Sequence, residues 1–106
     1  MNHEIEAALL NLSATLRQVG EIGMAGEIDT HMDAPQDGLN AFLRSNELWG
    51  GMGSIADQAG VGSPEKRRVV EAALIDLGVA QIAAGVTNVR TLGWIEVFKQ
   101  RRTGEV

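Results

Sequence analysis

The chain has 106 residues, with 14 Asp and Glu against 9 Lys and Arg and a formal net charge of −5. That length builds one domain around one core, and 44% hydrophobic with 22% charged residues excludes intrinsic disorder. The absence of cysteine excludes disulfides, thiolate zinc sites, iron–sulfur clusters and a cysteine nucleophile.

The first residues, Met1-Asn2-His3-Glu4-Ile5-Glu6, lack the basic and apolar regions of a secretory leader. No window reaches 18 uninterrupted apolar residues, the length a membrane-spanning helix needs. A cytoplasmic protein without membrane attachment is expected.

Ile5, Leu9, Leu12, Leu16 and Val19 recur at spacings of four and three, which predicts an amphipathic helix over 3–19. Gly20 and Gly23 favour a bend or short connection, since each glycine costs a helix about 1 kcal/mol relative to alanine. Ile22, Ala25, Ile28 and Met32 predict a second helix over 21–33. It ends at Asp33-Ala34-Pro35, because the residue before proline is pushed out of the α region.

Leu39, Phe42 and Leu43 mark a third helix over 36–47. The run Leu48-Trp49-Gly50-Gly51-Met52-Gly53-Ser54 reads as an irregular loop leading into Ile55-Ala56-Asp57. Ser54 and Asp57 stand in capping-box register, so one helical turn is expected there, stopped by Gly60 and Gly62. Gly50, Gly51, Gly53, Ser54 and Asp57 thus form a structural loop, with turns that need positive φ.

Ser63-Pro64-Glu65 combines an N-cap serine, proline at the first helical position and an acid in the first turn. The helix it opens runs to Gly85, a C-cap, and spans roughly 33 Å at 1.5 Å per residue. Ala72, Ala73, Gly78, Ala80, Ala83 and Ala84 admit a close neighbour, so this is the expected central helix, buried on more than one side. Its small-residue face is also where a homodimer would form. Over 87–102, Val89, Leu92, Ile95 and Phe98 suit a helix, whereas Trp94-Ile95-Glu96-Val97-Phe98 is rich in strand formers. Helix is preferred, because no other convincing strand exists to pair with it. Residues 103–106 are expected to fray. The fold expected is an all-α bundle of four to five helices in one domain over 1–106.

Charge is uneven. Residues 1–53 hold eight acids and two bases, residues 54–106 six acids and seven bases. Between Gln18 and Leu43 lie Glu21, Glu27, Asp29, Asp33 and Asp37 with no Lys or Arg. Such a stretch repels phosphate backbones and attracts basic protein surfaces, so nucleic-acid binding is not expected. Lys66-Arg67-Arg68 and Lys99-Gln100-Arg101-Arg102 read as solvated faces pairing with nearby carboxylates.

Gly51-x-Gly53-x-x-Ala56 has the letters of a dinucleotide fingerprint without the strand before it or the long helix after it. No serine sits in a nucleophile elbow, and no catalysis and no cofactor are expected. Glu27 and His31 are four apart on one helical face and suit a metal ion, but no second Glu-x-x-His motif completes the ligand set. No metal is therefore expected. Trp49 and Met52 flank the glycines, either pinning the loop to the core or serving as apolar anchors for a partner.

Leu48-Trp49-Gly50-Gly51-Met52-Gly53-Ser54-Ile55-Ala56-Asp57 resembles the signature of an uncharacterised family of small bacterial proteins. In that family amphipathic helices lead into Gly-Gly-Met-Gly-Ser, then an apolar residue, a polar one (commonly Asn) and Asp. The first helix, Gly20-Glu21 and a second helix are similar to its N-terminal layout, and the resemblance extends over the first 60 residues. Ala56 stands where the family commonly has Asn. The resemblance implies a bacterial origin and an all-helical fold. Small acidic bacterial proteins of this kind often serve as immunity proteins or antitoxins. The expected function is therefore a non-catalytic inhibitor of a basic toxin or effector domain. Its expected contact residues are Glu21, Glu27, Asp29, Asp33, Asp37, Trp49 and Met52. The alternative is a small metal-dependent helical enzyme or small-molecule sensor using Glu27 and His31.

Overall fold

Asn2 starts the first helix. Its side-chain oxygen accepts from the backbone N–H groups of Glu4 (2.8 Å) and Ile5 (3.1 Å), satisfying two of the donors that a helix start leaves free. The computed structural model describes the backbone of residues 2–104 and the side chains of residues 2–100. Its elements are α1 (His3–Gln18), α2 (Ile22–Met32), α3 (Gln36–Leu43), α4 (Asn46–Trp49), α5 (Ile55–Gln58), α6 (Pro64–Ala84) and α7 (Thr91–Gly104). Five have eight residues or more and two are single turns, so the fold is an all-α bundle.

The predicted stripe of α1 is buried throughout, with Leu9, Leu12 and Leu16 fully enclosed. Each such leucine contributes about 2 kcal/mol. The stripe packs against α2 on one side and α6 on the other, and α7 covers a further side of α6. α6 opens as its sequence predicts: the Ser63 hydroxyl accepts from Lys66 N–H at 3.3 Å, and Gly85 closes the helix at φ +74°. Its small residues are used within the chain. A Cβ on Gly78 would lie 2.3 Å from Ile95 Cδ1, so glycine is what lets α7 approach α6.

The single helix expected over 36–47 is two elements, α3 and α4, broken at Arg44-Ser45. A continuous helix would direct the Leu43 and Arg44 carbonyls to N–H groups four residues on. Both are instead taken by distant side chains. Gln81 Nε2 donates to the Leu43 carbonyl at 3.0 Å, and Asn88 Nδ2 donates to the Arg44 carbonyl at 2.7 Å. Tertiary hydrogen bonds from the far half of the chain set this break.

The last segment is helical, but it begins at Thr91 rather than near residue 87. Asn88 holds the preceding turn, accepting from Arg90 N–H on its side chain and giving its own N–H to Thr91 Oγ1. Thr103 and Gly104, expected to fray, continue α7; Glu105 and Val106 lie outside the described residues. Among the described residues no helix is long and apolar enough to cross a membrane.

Candidate functional site

The glycine loop is an ordered structural element. Ser54 caps α5, its hydroxyl accepting from Asp57 N–H at 3.2 Å and donating to the Gly50 carbonyl at 2.6 Å. Asp57 reaches back to accept from Gly53 N–H at 3.2 Å. That bond, a contact from the Gln58 amide and the positive charge of Arg67 hold the Asp57 carboxyl below the usual range, Gln58 contributing most. Gly50 must be glycine, since a Cβ there would sit 2.3 Å from the Asn46 carbonyl oxygen.

Trp49 is not a surface anchor. It is fully buried, and its indole N–H donates to Gln81 Oε1 at 2.9 Å. The other end of the same amide donates to the carbonyls of Leu43 and Val86. The Trp94 indole donates to the Trp49 carbonyl at 2.9 Å, so two tryptophans from distant segments lock the loop onto α6 and α7. Large size and an N–H that must find a partner explain why Trp49 is drawn inside. Met52, by contrast, is 98% exposed.

Arg67 corrects the expectation that Lys66-Arg67-Arg68 is a solvated face. Its side chain is only 13% exposed and pairs with the 5% exposed Glu71 at 2.9 Å. The guanidinium also donates to the carbonyls of Ala59 (2.8 Å) and Ala56 (2.5 Å) and sits 5.4 Å from the centroid of the Phe98 ring. It therefore satisfies the C-terminal carbonyls of α5, a role its i,i+4 spacing to Glu71 hints at but does not specify. Gly60, at φ +77°, lets the chain pass within contact distance of the Arg67 backbone. Of the second basic cluster, the side chains of Arg101 and Arg102 lie outside the described residues.

The acidic stretch is not wholly uncompensated. Asp29 is neutralised by Arg17 of α1, which holds it in an ion pair, and it accepts from the Ser13 hydroxyl at 2.6 Å. These partners, Arg17 foremost, hold its carboxyl below the usual range. The expectation of uncompensated charge fails here because α1 and α2 lie side by side and bring the arginine just before the stretch onto the aspartate within it. Glu21 is half-buried at the start of α2, and Asp33, at the end of α2, and Asp37, in the first turn of α3, are exposed.

Glu27 and His31 face a third group that spacing could not show. Glu47, from the single turn α4, brings its carboxylate to them, and one ligand atom from each of the three lies within 4.8 Å of the others. His31 Nε2 is 3.6 Å from Glu47 Oε2, and the imidazole stacks on Phe42 with centroids 4.0 Å apart and planes at 8°. Phe42 is itself in the core, so the ring orientation is set from beneath. Burial pushes the Glu27 carboxyl up, and the hydrogen bond and negative charge of Glu47 push it further, with His31 opposing. Among the described residues no Lys or Arg pairs with Glu27 or Glu47. Such a cluster can accept a proton, a metal ion or a cationic side chain.

The chain matches no protein-family model, no curated protein and no solved structure.

Proposed function

We propose that this protein is a non-catalytic protein-binding module, an inhibitor of the immunity or antitoxin kind that docks on a basic partner and covers its active site. The observation that supports this reading is the pairing of Glu27 with Glu47, two carboxylates held close together with no Lys or Arg paired to them among the described residues. An arginine from a partner presents a planar fork of donors that suits two such acceptors. Exposed Asp33 and Asp37 extend the negative field, and exposed Met52 offers an apolar contact. Asp29 and Trp49 are no longer part of this surface, because each is already engaged within the chain. Docking would begin with electrostatic steering and end in steric occlusion.

The test is affinity capture from source cells with the wild-type chain and with a Glu27→Lys, Glu47→Lys double variant. The expected result is a basic protein retained by the wild type at low salt, released as salt rises, and not retained by the variant. An identical set of bound proteins in both would overturn the reading.

A further inference from the structure

We infer that Glu27, His31 and Glu47 form a binding site for one divalent transition-metal ion, of which zinc is the most suitable probe. Three observations lead there independently of any protein partner. The donor set is one imidazole nitrogen and two carboxylates, drawn from α2 and α4, which is the mixture that zinc and its first-row neighbours take from proteins. One donor pair already stands at the spacing of ligands sharing an ion, and the third lies within 4.8 Å of both. Two donors on a tetrahedral zinc with bonds of about 2.0–2.2 Å lie roughly 3.3–3.6 Å apart, and His31 Nε2 and Glu47 Oε2 are 3.6 Å apart, too far for a direct hydrogen bond. The ring is also held in place: its stacking on Phe42 fixes the plane in which Nε2 points toward Glu47, so little ordering is left for binding to impose.

Charge completes the match. A doubly positive ion cancels two carboxylates that otherwise repel each other, and three protein ligands leave a fourth position to water or a small ligand. Bound there, the ion would tie the single turn α4, and with it the entry to the glycine loop, to α2. A metal ion and a partner's guanidinium would neutralise the same carboxylates and therefore exclude one another. The site goes beyond the docking proposal, and each stands if the other fails, because metal binding is read on the isolated chain.

The experiment titrates zinc into the full chain, expressed without an affinity tag, by calorimetry and by nitrogen-correlated NMR of the two histidines. Wild type is expected to take up one zinc per chain with Kd of about 10 μM or tighter, and the shifts should fall on His31. Glu47→Gln, at a position 60% exposed and so compatible with folding, should weaken binding by about tenfold or more. His3→Gln, which changes the other histidine, should leave binding intact. Equal affinity in Glu47→Gln and wild type, shifts confined to His3, or no uptake at millimolar zinc would each overturn the site.

Discussion

Two polar clusters in this molecule both hold glutamate carboxylates and treat them in opposite ways. Near the glycine loop, Gln81, Trp49 and Glu71 are buried and Trp94 and Arg67 half-buried, and the indole, amide and guanidinium donors meet acceptors within the chain. Beside α4, Glu27, Glu47 and His31 lie nearer to solvent, with two carboxylates adjacent and, among the described residues, no Lys or Arg paired with them. Buried polar groups persist only when paired, because an unpaired one loses its hydration and gains nothing. Partly exposed groups can remain unbalanced at little cost, since water still screens them. The first cluster therefore spends its hydrogen bonds on structure, and the second retains acceptors that its own chain does not fill with a Lys or Arg among the described residues.

The comparison predicts unequal responses to substitution. Arg67→Met should have the largest effect, because it takes the guanidinium partner from the buried Glu71 carboxylate and frees the Ala56 and Ala59 carbonyls. A loss of about 4 kcal/mol in urea unfolding is expected; a loss under about 1 kcal/mol would mean the enclosed cluster is not structural. Gln81→Leu should come next, at about 3 kcal/mol by the same measurement, since the Trp49 indole and the Leu43 and Val86 carbonyls lose their partner. A continuous helix across Arg44-Ser45 in that variant would show directly that Gln81 sets the break after Leu43.

Glu27→Gln should have the smallest effect and the opposite sign. Because its carboxyl titrates above the ordinary glutamate range in the folded protein, the native state holds that proton more tightly than the unfolded chain. Its contribution is present in full below the ordinary glutamate pKa and is lost as pH rises through the raised value. At neutral pH the variant should be as stable as wild type or more so, by less than about 1 kcal/mol, and the gain should vanish on acidification. Unfolding curves between about pH 4 and 7 measure this; a variant clearly less stable at pH 7 would place Glu27 with the structural cluster instead.

Much of the fold was legible in the chain. The α1 stripe, the Ser63-Pro64 start and Gly85 end of α6, and the Ser54 cap all depend on residues within four positions of one another. The candidate site was half legible: Glu27 and His31 share a helical face by spacing alone, while Glu47 lies sixteen positions beyond His31 on a turn whose existence was not foreseen. Arg17 and Asp29 were visible separately, yet their pairing required knowing that α1 and α2 pack side by side.

What the amino-acid order determined alone was the inventory of helices, their caps and their apolar faces, because helical hydrogen bonds and side-chain periodicity act over three or four residues. Tertiary structure decided where α3 stops, which tryptophan is enclosed, which arginine becomes structural and which carboxylates stay unbalanced. Those outcomes depend on contacts such as Trp49 with Gln81 and Asn88 with Arg44, between groups far apart in sequence. Such contacts exist only once the chain has closed on itself and water has been removed from between them.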